Sequence, residues 1–403
     1  MDRENTIIIA AVLLLLAVVM FFPKKPDAEE TQLVKIGVLT FDKDNNASEV
    51  FLATQAIDDI NQYCLNLSIP YQFIPVFKCN EKRAQRAIEM VDEFHMENVS
   101  IIVGFRWGGE LDACDYQSKG YGMVIVSPYA STSFHRDIYP HIIQLMPIDI
   151  HETQVVARAM VELGFMETVV FTEEYNTRPG YMVDEFTRYY EEMGGTVNDT
   201  VVYGFSQNLA QINETLSRLE NAVYPNTAIF YPETLPYSQY FHEIHNHPSL
   251  LSYTWFSTNS AKSNYTAELS ATRGLDEMKL IHPNLDKTPD YSNPVYQELN
   301  KLYYAEFGEN MTRYTGNVYD AVRLSALTVI ETEEYNNLTF IETFPEVARH
   351  YTGASGNCSL DQYGDRLHAG YNIYRYVLRG EDIYLKEIGY CNTSKKEIEW
   401  ALQ

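Results

Sequence analysis

The feature that most constrains this chain is the regular exchange of short apolar runs with segments of helical period. Leu33 to Thr40 reads as a buried strand, and Ala47 to Gln62 follows with Val50, Ala53, Ile57 and Ile60 at helical spacing. The pattern repeats through a strand at 71–77, a helix at 81–94, a strand at 100–104, a helix from Gly108 and a strand at 122–127. A second series begins after Gln144 to Pro147, with helices at 150–163, 181–193, 208–221 and near 237–245, and strands at 168–172, 200–203, 227–231 and 253–257. Strands separated by helices of this length predict parallel sheets covered on both faces. The fold class expected is therefore α/β, two doubly wound parallel-sheet lobes in tandem. Three helices without strands, at 294–307, 316–331 and 340–351, and a hairpin around Gly380, complete the lobes.

Charge and side-chain inventory narrow the functions open to such a chain. A net charge of -25 over 403 residues opposes nucleic-acid binding, which needs clustered Lys and Arg to neutralise phosphates. An apolar run, Ile7 to Phe22, lies between Arg3 and the Lys24, Lys25 pair. As a helix it spans about 24 Å, short of the roughly 30 Å hydrocarbon core, so signal peptide and anchor are both open and the missing Ala-x-Ala site favours an anchor. Asn-x-Ser/Thr occurs at Asn46, Asn66, Asn98, Asn198, Asn213, Asn264, Asn310, Asn337, Asn357 and Asn392, against roughly three by chance. This excess predicts glycosylation, and with the anchor it predicts a folded domain at the cell surface, outside the membrane. Of five cysteines, Cys79 with Cys114 or Cys358 with Cys391 are the pairings left open.

In doubly wound sheets ligands gather at the carboxyl ends of the strands. Two loops there stand out: Gly104-Phe-Arg-Trp-Gly-Gly-Glu110, with glycines, aromatics and an arginine, and Ser127-Pro-Tyr-Ala-Ser-Thr-Ser133, rich in hydroxyls. Together their N–H and O–H groups suit a carboxylate, against the plainer reading of turn and cap chemistry. His242-Glu-Ile-His-Asn-His247 places imidazoles three residues apart but lacks the His-Glu-x-x-His pattern and reads as a solvated helix end. Gly353-Ala-Ser-Gly356 lacks the nucleophile-elbow and phosphate-loop patterns and reads as a turn between lobes. With no nucleophile and base pair to assemble, no enzyme, metal or cofactor is expected.

Several segments taken in order resemble the type I periplasmic-binding-protein family, in particular the branched-chain amino-acid-binding proteins of ABC importers. They are Val34-Lys-Ile-Gly-Val-Leu-Thr40, Ala56-Ile-Asp-Asp-Ile-Asn61, Ile102-Val-Gly104, Val126-Ser-Pro-Tyr-Ala-Ser131, Tyr319-Asp-Ala321, Tyr351-Thr-Gly-Ala-Ser-Gly356 and Asp361-Gln-Tyr-Gly-Asp365. The resemblance implies two lobes joined by a three-segment hinge: 33–146 plus 284–353, and 147–283 plus 354–403, after an N-terminal segment 1–32. It implies a ligand carboxylate near Gly108, Tyr129, Ala130 and Ser131, with Tyr314 as an aromatic wall. In the second lobe it implies Tyr175, Thr177, Glu233 and Asn259. Asn259 stands where an acidic partner for an ammonium group is usual, and Glu233 is the replacement. Arg106 and Trp107 depart toward an aromatic, amidic or anionic solute.

The function expected is capture of a small polar solute, an amino acid or related compound, for an ABC importer with a membrane permease as partner. The alternative is a ligand-sensing receptor ectodomain that signals through a membrane partner.

Overall fold

The computed structural model describes residues 30–401 apart from 45, 131–139, 175–176, 205–207, 233–239, 241–242, 260–278, 333–335, 362, 368 and 380–381. The first sheet is built from β1 (Gln32–Thr40), α1 (Ala47–Leu67), β2 (Tyr71–Cys79), α2 (Ala84–Met96), β3 (Ile101–Val103), α3 (Gly108–Gly120), β4 (Val124–Ser127) and β5 (Ile142–Gln144). Its order is β2-β1-β3-β4-β5, every pairing parallel. β3 and β4 are buried throughout, as unbroken apolar strands must be when both faces are covered. On one face Ala87, Met90, Val91 and Phe94 of α2 pack with Leu111 and Cys114 of α3. β1 and β3 approach so closely at Gly104 that a Cβ there would lie 2.6 Å from that of Leu39.

The second sheet follows with α4 (Asp149–Glu162), β6 (Glu167–Glu173), α5 (Thr177–Glu192), β7 (Thr196–Tyr203), α6 (Leu209–Ala222), β8 (Thr227–Tyr231), the short α7 (Pro248–Leu251), β9 (Trp255–Ser257) and β10 (Ile281–Leu285). Asn208 caps α6 by accepting from the Gln211 N–H, a contact of about 1 kcal/mol. The chain then returns to the first lobe as α8 (Pro294–Phe307), α9 (Asn317–Glu331) and α10 (Asn337–Arg349), whose Tyr296, Leu299, Val318, Val322 and Phe340 share a core with Leu52, Ile57 and Ile60 of α1. The small hairpin of β11 (Thr352–Gly353) and β12 (Gly356–Asn357) precedes β13 (Gly370–Arg379), β14 (Asp382–Asn392) and β15 (Glu397–Trp400), antiparallel additions to the second sheet. That sheet runs β15-β14-β13-β10-β9-β8-β6-β7.

Sheet membership locates the passages between lobes. The first follows Gln144, the last residue of β5. The second was expected near 279–283, but Ile281–Leu285 pair with β9 and β13 inside the second sheet, so the chain leaves only after Leu285. The third was expected near 352–356, but Ala354, Cys358 and Leu360 sit in the first-lobe core and Ala369 in the second. These three strands of chain are tied together. Gln144 N–H donates to Gly364 O at 2.9 Å, its amide donates to Asp365 at 2.7 Å, and Asn293 donates to Gly353 O at 2.7 Å.

The Asp320 carboxylate closes the β11–β12 turn, accepting from the N–H groups of Ala354 and Ser355, both at 2.8 Å, and from the Ser355 and Tyr351 hydroxyls. Burial raises its pKa, and these donors with Arg366 offset part of that rise. All five cysteines are free thiols. Neither expected pairing forms: Cys358 lies in the first-lobe core and Cys391 in the second. The helix expected near 237–245 falls largely outside the described residues; Tyr240 and Glu243 are helical, and a 3-10 turn follows at Ile244–Asn246.

Candidate ligand cleft at two switch points

The first sheet and the parallel part of the second share one strand order, β2-β1-β3-β4-β5 and β7-β6-β8-β9-β10. Strand order reverses between β1 and β3 in the first and between β6 and β8 in the second. At such a switch point successive loops leave in opposite directions and open a crevice beyond the strand ends.

In the first lobe this crevice is lined by Thr40 and Phe41 after β1, Asn80 after β2, Gly104 to Arg106 after β3, and Pro128 and Tyr129 after β4. Its free volume is about 10 Å3, room for one water. Arg106 fills the space, its guanidinium 5.3 Å from the Phe41 and Tyr129 ring centres and 3.7 Å from Glu49 in the first turn of α1. Burial pushes Glu49 up, while the Phe41 N–H and Arg106 pull it back. Burial, with Glu49 next, raises the Tyr129 phenol. Trp107 is 56% exposed, its ring 5.7 Å from that of Phe41.

The N–H groups expected to hold a carboxylate are partly committed inside the protein. Glu110 takes those of Arg106 at 2.9 Å and Trp107 at 3.3 Å, and Asn80 holds the other oxygen of Glu110 at 2.7 Å. Ala130 N–H donates to Ser127 Oγ at 3.1 Å. The first turn of α3, at Gly108 and Gly109, keeps N–H groups without intrahelical acceptors.

In the second lobe the switch point lies between Glu173, the buried last residue of β6, and Tyr231 of β8. Beside it the first turn of α4 contributes Asp149 and Glu152, both buried, and Glu152 accepts the Asn259 N–H. Burial, then the charges of Glu152 and Asp149 with Tyr314 between them, push the Tyr371 phenol well above its ordinary value. Three buried carboxylates, Asp149, Glu152 and Glu173, thus lie beside this switch point.

Arg106, Trp107, Gly108, Tyr129 and Ala130 thus gather at the first-lobe edge, and Asn259 and the start of α5 at Thr177 lie at the second. Ser131, Tyr175 and Glu233 lie outside the described residues. Tyr314 differs from expectation: it is 5% exposed and packs in the second-lobe core with Ala369 and Tyr371, so it joins the lobes rather than walling an open pocket. Glu49, Glu110, Glu152 and Glu173 were missed. Glu110, three residues after the helix cap at Trp107, has the spacing of a capping box and was findable; buried first-turn or strand-end acids carry no comparable mark.

His247 is buried, not a solvated helix end, with Nδ1 2.8 Å from Glu220 and Nε2 3.1 Å from Asn213. Among the described residues no group of three metal-binding side chains occurs. Of the sequon asparagines, Asn264 is outside the described residues and none of the others is buried. Asn213, however, spends its amide on Leu209 O and Glu243.

Two covered sheets, three passages and a switch point in each sheet define a type I periplasmic-binding-protein fold. Residues 53–378 match the sequence model of the family described as "Receptor family ligand binding region". The chain belongs to that family. Among similar solved structures are an ABC transporter substrate-binding protein from Desulfitobacterium hafniense complexed with Leu, 15% identical, TM-score 0.63, covering 88% of this chain and 100% of that one. A leucine-binding protein from Thermotoga maritima is 17% identical, TM-score 0.58, covering 88% and 97%. A solute-binding protein from R. palustris in complex with 4-hydroxybenzoate is 15% identical, TM-score 0.60, covering 89% and 97%. No curated protein sequence matches the chain.

The expected placement at the cell surface on an N-terminal membrane helix is corrected. Among the described residues no helix is long and apolar enough to cross a membrane. The run from Ile7 to Phe22 lies outside the described residues, and the structures similar to this chain are substrate-binding proteins of ABC transporters.

Proposed function

We propose that the chain captures a small zwitterion, an amino acid or a related compound, between its two sheet edges and closes around it, without bond chemistry. The observation that carries this reading is the charge at each switch point: Arg106 on aromatic rings beside one, and the buried Asp149, Glu152 and Glu173 beside the other. A ligand carboxylate fits Arg106 and the first-turn N–H groups of Gly108 and Gly109, with Trp107 and Tyr129 as apolar walls. Its ammonium faces the acidic edge, to which Glu233, Asn259, Tyr175 and Thr177 belong by position in the sequence, and Ser131 belongs with Tyr129. Delivery to an ABC permease is the cellular role in keeping with the solved relatives. The description of the family as a receptor region favours a second reading, a ligand sensor acting through a membrane partner.

The test is calorimetry with the solute that mass spectrometry identifies in the purified protein. Arg106 is half-exposed and its ion pair is long, so Arg106→Gln should fold normally. Its affinity should fall about 10-fold to 150-fold, the scale of a charge-assisted hydrogen bond. Unchanged affinity would reject the role of Arg106. ATPase stimulation of a reconstituted permease by loaded protein separates transport from sensing.

A further inference from the structure

A second hollow lies away from the switch points. A cavity of about 260 Å3 lies in the second lobe between α4, the end of α5 and the β14–β15 turn, against about 10 Å3 at the first-lobe crevice. It is lined by Gln154 and Arg158 of α4, Tyr189 and Met193 at the end of α5, and Cys391 and Lys396 from the hairpin. We propose that this cavity is a second binding site, for a small organic anion: a carboxylate on a short apolar body.

The argument begins with two cations. The carboxylate paired with Arg158 is Glu162 at 3.9 Å, beyond hydrogen-bond reach, and the other oxygen of Glu162 accepts Trp400 Nε1–H at 2.9 Å. Lys396 sits at a left-handed turn position, φ +54°. Among the described residues it has no ion pair, whereas its neighbour Lys395 pairs with Glu399 at 3.4 Å. Two cations thus face one hollow in a chain of net charge -25, and an anion between them would be held by both.

The other walls suit such a guest. Glu192, at the rim, is tied to Arg188 at 2.9 Å. Burial pushes the Cys391 thiol up to about 11, so the floor is neutral and does not repel a carboxylate. Met193, Val155 and the Tyr189 ring offer apolar surface for a short hydrocarbon body, and the volume equals the liquid share of roughly nine waters.

Hexanoate, with hexanamide as its neutral counterpart, tests the site on the full chain by calorimetry and tryptophan emission. Hexanoate should bind saturably and hexanamide at least about ten-fold more weakly. Arg158→Gln and Lys396→Gln should each weaken hexanoate about ten-fold. Lys396 is exposed, so its variant keeps the test decisive should Arg158→Gln fold poorly. The emission change should vanish in Trp400→Phe, whose indole reports on the Glu162 contact. Arg106→Gln, at the switch-point crevice, should leave hexanoate affinity unchanged, which keeps this site's test separate from that of the proposed function. No saturation up to about 10 mM, equal binding of hexanamide, or loss in Arg106→Gln with none in Lys396→Gln would overturn the proposal.

Discussion

Replacing Arg366 by Lys keeps the charge and removes the planar fork, and it should loosen the junction between the lobes. Arg366 is 3% exposed. Its Nη1 donates to Leu145 O at 3.1 Å, Asn317 Oδ1 at 3.0 Å and Ser355 Oγ at 3.1 Å. Its Nη2 donates to Ser355 O at 3.0 Å and Asn357 O at 2.7 Å, and Nε to Asn357 O at 3.2 Å. One guanidinium so joins the first passage, the first turn of α9 and the β11–β12 hairpin. An ammonium carries three donors on one atom and can keep at most half of these contacts. Each buried acceptor left short costs about 1 to 3 kcal/mol. Two features soften the loss: Leu145 O also accepts from Asn317 at 3.4 Å, and Asn357 O takes two bonds from the same arginine. The net expectation is about 2 to 4 kcal/mol, a large share of the roughly 5 to 15 kcal/mol by which domains are stable. Equilibrium urea unfolding followed by far-ultraviolet circular dichroism should show a lower midpoint with an unchanged slope. A loss below about 0.5 kcal/mol would refute the idea that the fork, rather than the charge, holds the junction.

Two glycines should behave oppositely. Gly353→Ala places a Cβ 1.9 Å from Asp320 Oδ1 and should cost several kcal/mol by breaking the turn that Asp320 closes, about the scale of a disrupted buried network. Gly109→Ala meets nothing within 4 Å and should stabilise α3 by about 0.5 to 1 kcal/mol; thermal melts of the two variants check both. The His141 ring is buried, 3.0 Å from Ser118 Oγ and 3.5 Å from Asp115, and burial lowers its pKa from 6.5, Asp115 opposing and Lys119 assisting. The unfolded chain then binds the proton more readily, so stability is complete above 6.5 and is lost as pH falls through the folded value. In His141→Gln the fall in stability between about pH 7 and 5 should shrink, and an unaltered profile would exclude His141 as its source.

Much of the architecture is legible in apolar periodicity, because strands buried on both faces and helices with one buried stripe leave distinct periods. What escaped is short or irregular. β5 and β15 have three and four residues, too few for a pattern. β10 contains His282 and Pro283 and reads as a junction because proline is rare inside sheets; its place between β9 and β13 is fixed by neighbours distant in sequence. In the sequence the Tyr319-Asp-Ala321 and Tyr351 to Gly356 segments stand out only through the family resemblance. Their purpose is one hydrogen-bonded unit, the Asp320 carboxylate on the Ala354 and Ser355 N–H groups, which no local pattern encodes.

The site was legible as loops and not as chemistry, and the reason bears on what the loops can recognise. Glycine and hydroxyl content marked 104–110 and 127–133 as carboxylate binders, yet a sequence does not show which N–H groups are already taken. Glu110 and Ser127 take three of them. On the proposed reading a bound carboxylate would rely on the guanidinium of Arg106 and the first turn of α3, where a charge-assisted pair is about twice as strong as a neutral hydrogen bond. Arg106 already lies beside Glu49, so on the proposed reading the ligand must draw it from that carboxylate. On that reading selectivity would shift from the length of an apolar side chain toward the charge of the solute.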